Sequence, residues 1–303
     1  MLSRTFGVVA ASCAFGAIAI LAPSAAVAIN RGDPVSRTYV ALGDSYTSGP
    51  GLPAQLDSTT SPSAPEICRR SADNYPTLVA RDLGYSLDDV SCLGASTDDL
   101  TESQGPGIAP QLSALTRSTA LVSLSIGGND LGFSSIATNC AAATPWGATK
   151  VGWSCAAHYV SNGVNELDAT IRQVGQRVTS ALSAIKARSP NARVFVVGYP
   201  DIVPPVGSGC WPKLPFSAPD LDFVRSVESN LNAALDQAAV SGGDTYVDVA
   251  TPSATHDACT AVDTRWVEPI VPLHGGYPLH PSSAGMDGMA HVLEQAIGGS
   301  NPH

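Results

Sequence analysis

Charge is scarce in this sequence. Only 14% of its 303 residues are Asp, Glu, Lys or Arg, against roughly 25% in an ordinary globular domain. Basic residues are the scarcer half, with 16 Lys and Arg facing 26 Asp and Glu for a net charge of −10. No basic cluster stands ready to clamp a phosphate or a polyanion, which argues against nucleic acid as a partner and against adsorption to anionic lipid. Neutral lipids and esters are not excluded by that balance. Zinc spacings are missing as well: there is no Cys-x-x-Cys and no His-x-x-x-His pair, so no metal is expected. Nor is there an internal repeat, or a linker that would divide the chain after its first 28 residues.

Those first residues have the build of an export signal. Arg4 supplies a short positive region, Val8 to Leu21 is almost unbroken apolar sequence, and Ala26-Val27-Ala28 is a small-x-small cleavage site. The apolar stretch is short for a membrane span, and Gly16 and Pro23 interrupt it. The expectation is a signal peptide over 1–28, a single domain over 29–303, secretion, and no stable membrane anchor after cleavage. Cys13 leaves with the leader. Six cysteines remain, Cys68, Cys92, Cys140, Cys155, Cys210 and Cys259, an even set that in an exported protein implies disulfides. Six allow fifteen connectivities; the most local, Cys68–Cys92, Cys140–Cys155 and Cys210–Cys259, closes three loop-rich segments.

Short apolar runs and amphipathic stretches alternate along the chain. Tyr39–Leu42, Asp89–Leu93, Ala120–Ile126, Arg193–Gly198 and Thr245–Val249 read as strands, each ended by Gly, Pro or Asp. Helices are expected over Asn74–Leu83, Val164–Ala187, Pro219–Ala239 and Ser282–Ile297. In the longest, Leu167, Ile171, Val174, Val178, Leu182 and Ile185 fall at helical spacing. Strand alternating with helix implies an α/β fold, a three-layer α/β/α sandwich around a central, mainly parallel five-stranded sheet of the flavodoxin-like kind. Long loops at 49–70, 139–160 and 203–218 each carry cysteine.

The polar residues at the carboxyl ends of these strands share one edge, where open α/β sheets bind ligands. Gly43-Asp44-Ser45 ends the first strand, Gly94 the second and Gly128-Asn129-Asp130 the third, while His280-Pro281 precedes the last helix. A serine hydroxyl, an imidazole, a glycine N–H and an asparagine amide are the parts that acyl transfer needs. Taken singly, each has an ordinary alternative as a turn or cap residue. Together and in this order they resemble the SGNH branch of the GDSL esterase/lipase family, and the Gly-Asp-Ser-Tyr-Thr-Ser-Gly-Pro-Gly start with six cysteines resembles its secreted actinobacterial lipases and esterases. The resemblance implies the SGNH hydrolase fold and a carboxylic ester hydrolase with no cofactor. Ser45 would be the nucleophile and His280 the general base. The N–H of Ser45, the N–H of Gly94 and the side-chain amide of Asn129 would form the oxyanion hole. Lipase or carboxylesterase action leads; phospholipase A, carbohydrate acetylesterase and a non-catalytic secreted binding domain are the alternatives. The partner expected is a small-molecule or lipid ester, met by a monomer.

One position departs from the family pattern. The family commonly has Asp three residues before the histidine, and here that residue is Tyr277. A backbone carbonyl can accept the imidazole Nδ1–H instead, and the carbonyl of Tyr277 is the expected acceptor, with a neighbouring carbonyl as the alternative. Asp263 and Glu268 are the rival carboxylates. Asp130 is expected to cap the helix after it. His158, His256, His274, His291 and His303 have no motif around them, and Trp146, Trp153, Trp211 and Trp266 lie in the long loops.

Overall fold

Runs of consecutive apolar residues build a sheet with two buried faces. In the computed structural model Val40 and Leu42 point into one hydrophobic cluster, while Tyr39 and Ala41, on the opposite side of the same strand, point into another. Described are Met1, Leu2, Gly7 and residues 37–57, 65–142, 154–161, 164–207, 209–273 and 275–299. The chain divides into Met1–Val35 and Ser36–His303. Apart from those first three residues, the expected leader with Cys13 lies outside the described residues, as do Trp146, Trp153, His274 and His303. The elements that follow belong to the second unit.

In chain order they are β1 (Thr38–Gly43), α1 (Ser45–Ser48), α2 (Tyr75–Leu83), β2 (Ser86–Asp89), β3 (Thr119–Ser125), α3 (Phe133–Ala142), α4 (Cys155–Tyr159), β4 (Val160–Ser161), β5 (Val164–Asn165), α5 (Leu167–Arg188), β6 (Arg193–Val197), α6 (Ala218–Gly242), β7 (Thr245–Val247), α7 (Ala250–Ser253) and α8 (Ser283–Gly299). Five strands form one parallel sheet in the order β2-β1-β3-β6-β7. From β1 the chain moves outward to β2, then returns to β3 on the other side of β1. The order therefore reverses between β1 and β3, which opens a crevice at their carboxyl ends. Gly43 stands opposite Ser125 there.

Helices cover both faces, giving the three-layer α/β/α sandwich. α5 packs on α6, their Val174, Val178, Leu182, Val224 and Leu235 joining the cluster of Val40, Leu42, Val122 and Val196. α2 packs on α8, their Leu78, Val79, Met286 and Leu293 joining Tyr39, Ala41, Leu121 and Phe195. The apolar stripe expected on α5 is buried throughout. Local chemistry sets the helix ends. Asn74 caps α2 by accepting the N–H of Thr77, Pro76 sits in its first turn, and Gly84 closes it in the left-handed conformation.

Some boundaries differ from expectation. The second strand is Ser86–Asp89, upstream of the apolar run at 89–93. Val90 and Cys92 still donate to the carbonyls of Ala41 and Gly43 at 3.0 Å, but Ser91 folds back onto Asp89 through both its N–H and its hydroxyl. α5 starts at Leu167 because Val164–Asn165 pairs antiparallel with Val160–Ser161. α3, an Ala- and Ser-rich helix without a strong apolar stripe, had no signal in the periodicity.

Cysteines join Cys68 to Cys92, Cys140 to Cys155 and Cys210 to Cys259. Leu93 donates to the carbonyl of Cys68 at 3.0 Å, so the first bridge and this bond together hold the approach to Gly94. Replacing Cys68 and Cys92 by Ala is expected to remove about 2–4 kcal/mol of stability, read as a lower midpoint in denaturant unfolding with the other two bridges intact.

Candidate active site

β1 stops at Gly43 because a side chain there has no room. Its φ is +150°, and a Cβ would strike Thr47 Oγ1 and come within 2.6 Å of the Ser125 carbonyl. The buried Gln111 clasps this glycine from both sides: the Gly43 N–H donates to Oε1 at 2.7 Å, and Nε2 donates to the Gly43 carbonyl at 2.9 Å. Asp44 then caps α1, its Oδ1 accepting the N–H of Tyr46 at 2.9 Å. Ser45 is thereby the first residue of α1 and nearly buried, at 4% exposure. Among the described residues the N–H groups of Ser45 and Gly94 have no hydrogen-bond acceptor.

His280 Nε2 lies 2.8 Å from Ser45 Oγ, and His280 Nδ1 lies 2.8 Å from the carbonyl oxygen of Pro278. A carbonyl can only accept, so Nδ1 carries the proton and Nε2 presents its lone pair to the serine hydroxyl. Burial holds the imidazole pKa below its usual 6.5, partly opposed by the Pro278 hydrogen bond. The ring is therefore neutral near pH 7.

The acceptor is Pro278 and not Tyr277, which corrects the expectation. The Tyr277 carbonyl already accepts the backbone N–H of His280 at 3.1 Å, closing a tight turn. That bond aims it along the chain and leaves the next carbonyl to face the ring. The third carbonyl of the turn, that of Leu279, accepts the hydroxyl of Tyr46 at 2.5 Å. Neither rival carboxylate holds the imidazole. Glu268 is fully buried, paired with Arg265 at 2.7 Å and accepting the N–H of Leu273 at 3.0 Å, while Asp263 is exposed. Glu268 acts through its backbone, which exchanges hydrogen bonds with Leu279 and His280 at 3.1 and 2.9 Å.

Asn129 donates from Nδ2 to the carbonyl of Ala95 at 2.8 Å, tying the segment after β3 to the segment after β2. One of its two amide hydrogens stays available. Asp130 does not cap α3; its carboxylate accepts from the N–H and hydroxyl of Thr97 at 2.9 and 2.5 Å, with Arg177 at 3.4 Å. It ties the same two segments a second time. Gly94 is exposed and does not line the cavity described below.

Three residues of this assembly had no reading in the sequence. Tyr199 donates its hydroxyl to Asp44 Oδ2 at 2.6 Å and accepts the Gly128 N–H at 3.0 Å. Asn232 holds both backbone groups of Tyr199 from α6. Gln111 sits in a short turn with no motif around it. Tyr199 follows β6 by two residues, and the rule that strand ends carry ligand-binding groups would have found it. Desolvation dominates at Asp44 and raises its pKa to about 7, against the hydrogen bonds from Tyr199 and Tyr46.

These groups open on a cavity of about 390 Å³ that is lined by Ser45, Asn129 and His280 together with Phe133, Ile202, Leu231, Ile270 and Leu279. Glu228 adds a buried carboxyl whose pKa burial pushes well up. His158, His256, His291, Trp211 and Trp266 do not line it. Among the described residues no group of His, Cys, Asp and Glu could hold a metal ion.

Comparison with known proteins gives a consistent outcome. A model of the GDSL-like lipase/acylhydrolase family matches residues 41–287. Lipase 2 of Streptomyces coelicolor is 40% identical over 266 residues, covering 86% of this chain and 85% of the relative. The extracellular lipase of Streptomyces rimosus superposes with a TM-score of 0.69 at 29% identity, over 86% of this chain and 99% of that one. Phospholipase A1 of Streptomyces albidoflavus superposes at 0.68 with 31% identity, over 85% and 98%.

Glu268→Gln would leave the Arg265 guanidinium buried without its counter-charge. The expected cost is about 3–5 kcal/mol, measured by denaturant unfolding, whereas the exposed Asp263→Asn change should leave the midpoint where it is.

Proposed function

This chain belongs to the GDSL-like lipase/acylhydrolase family of carboxylic ester hydrolases, and from that premise we propose a secreted lipase or carboxylesterase that works through an acyl-enzyme on Ser45. The observation that carries the reading is the run of contacts from the Pro278 carbonyl through the His280 imidazole to the Ser45 hydroxyl, both at 2.8 Å. Ser45 Oγ attacks the ester carbonyl carbon while His280 Nε2 takes its proton. The tetrahedral oxyanion is met by the Ser45 N–H, the Gly94 N–H and the Asn129 amide, each worth about 3 kcal/mol in such a site. His280 returns the proton to the leaving alcohol, then activates water against the acyl-enzyme. Pro278 supplies the acceptor that a third acidic residue supplies elsewhere: it holds the ring and its tautomer. Every group in this sequence comes from one copy of the chain, so the proposal is a monomer.

An acyl chain is the ligand that the cavity wall suits, since most of the lining residues are aliphatic or aromatic. Phospholipase A action is the second reading, supported by the likeness to the phospholipase A1 of Streptomyces albidoflavus. Export follows from the leader expected over 1–28, supported by the extracellular relative from Streptomyces rimosus. Among the described residues no helix is long and apolar enough to cross a membrane.

Hydrolysis of p-nitrophenyl esters from C2 to C18 is expected from the protein beginning at Ile29. Ser45→Ala should lower kcat by several orders of magnitude and abolish labelling by a fluorophosphonate. An unlabelled wild type would indicate a non-catalytic binding domain. The pH profile of kcat/KM should show one acid limb. Below the His280 pKa the ring is protonated at Nε2 and cannot accept the serine proton, so activity falls as pH falls. Because burial lowers that pKa, the midpoint should lie below 6.5.

A further inference from the structure

Seven large hydrophobic side chains stand exposed among the described residues of Ser36–His303, and four of them occupy two loops. Val206 is 79% exposed and Trp211 58% on the loop between β6 and α6; Val271 is 69% and Leu273 61% on the loop before His280. The loops are joined, since the Ile270 N–H donates to the carbonyl of Lys213 at 3.2 Å. They also wall the ester cavity, one through Ile202 and the other through Ile270, Tyr277 and Leu279.

Their charge is as distinctive as their exposure. In a chain with 26 acidic residues, none falls in 202–217 or 269–284, and Lys213 is the sole cation in either span. Its ammonium is turned inward, donating to the carbonyls of Cys259 and Thr260 at 3.1 and 3.2 Å. Both loops are braced at their bases. Arg225 donates to the carbonyls of Pro204 and Gly207 on either side of Val206, the bridge to Cys259 holds Cys210 beside Trp211, and Glu268 holds the N–H of Leu273. Apolar side chains on braced backbone can be buried without the entropic cost of ordering a mobile loop.

We infer that Val206, Trp211, Val271 and Leu273 form a docking surface for an uncharged lipid interface, a zwitterionic or neutral one, which delivers ester to the adjoining cavity. The inference rests on the ester-hydrolase reading for its purpose, though not for its geometry. A net charge of −10 repels anionic lipid, and the spans 202–217 and 269–284 hold none of its acidic residues. Tryptophan and aliphatic side chains enter the boundary between headgroups and acyl chains, and the cavity wall continues from the same segments.

Flotation with phosphatidylcholine vesicles tests it, using the Ser45→Ala chain so that the lipid stays intact. The parent should float, and the triple change Trp211→Ser, Val271→Ser, Leu273→Ser should weaken partitioning by about tenfold or more. In chains that keep Ser45, the same triple change should leave hydrolysis of soluble p-nitrophenyl acetate unaltered. Should the triple variant misfold by circular dichroism, Leu273→Glu alone carries the same expectation. A parent that does not float, or a variant that floats equally well, overturns the inference. So does a concentration-dependent dimer in sedimentation velocity that the variant loses, because the surface would then be covered by a second copy. A wild type inactive on every ester that still floats would refute the hydrolase reading and leave the docking surface in place.

Discussion

The hydrogen bond from His280 Nδ1 to the Pro278 carbonyl is the constraint on which the site depends. A carboxylate in that place could rotate and change protonation; a main-chain carbonyl can do neither. Its direction is set by the turn from Tyr277 to His280, in which Leu279 adopts a φ of +60°. A leucine in that region costs roughly 1–3 kcal/mol. The conformation is held by the backbone of Glu268 on one side and by the Tyr46 hydroxyl on the other. Tyr46 adjoins Ser45 in α1, so the turn that carries His280 is anchored to the element that carries Ser45.

Beneath that contact runs a buried polar chain, from the Gly128 N–H through the Tyr199 hydroxyl to Asp44 and on to the N–H of Tyr46. It joins the segments after β1, β3 and β6, three neighbouring strands. Such a network stabilises only when each member is satisfied. Asp44 is held by two donors, yet desolvation still raises its pKa. Asn129 and Asp130 make the matching ties to the segment after β2, through Ala95 and Thr97. Positions far apart in the chain are thereby held by hydrogen bonds across a sheet edge.

Charge is placed with similar economy. The one fully buried ion pair, among the described residues, lies under the His280 turn, where Arg265 Nε and Nη1 and Glu268 Oε1 have no partner. Such a pair contributes little net stability but strongly disfavours losing one member. It fixes where the segment 265–268 runs, and Val267 pairs with Pro281 alongside it. The α8 helix can approach this segment because Gly285 and Gly288 present no Cβ to Trp266. Acidic residues are absent from 202–217 and 269–284, the stretches that carry the exposed apolar side chains beside the cavity.

Much of this was legible in the sequence because it is written locally. Apolar runs and period-3.6 patterns locate four of the five sheet strands and helices α2, α5, α6 and α8, and Gly43-Asp44-Ser45, Gly128-Asn129 and His280-Pro281 mark the strand ends and the last helix start. What the sequence could not decide were contacts between residues distant in the chain. Nothing near Gln111 or Tyr199 announces that one clasps Gly43 and the other bridges Asp44 to Gly128. The edge strand Ser86–Asp89 was placed too late because its side chains are half solvated and its pairing comes from β1. Choosing Pro278 over Tyr277 required knowing which carbonyl the turn had already used. Local periodicity follows from the geometry of one helix or strand, whereas a hydrogen bond's direction depends on the backbone of every element packed around it. For that reason the chain's own letters determined the class of fold and which side chains meet at the sheet edge, and only the folded structure decided which atom holds the histidine.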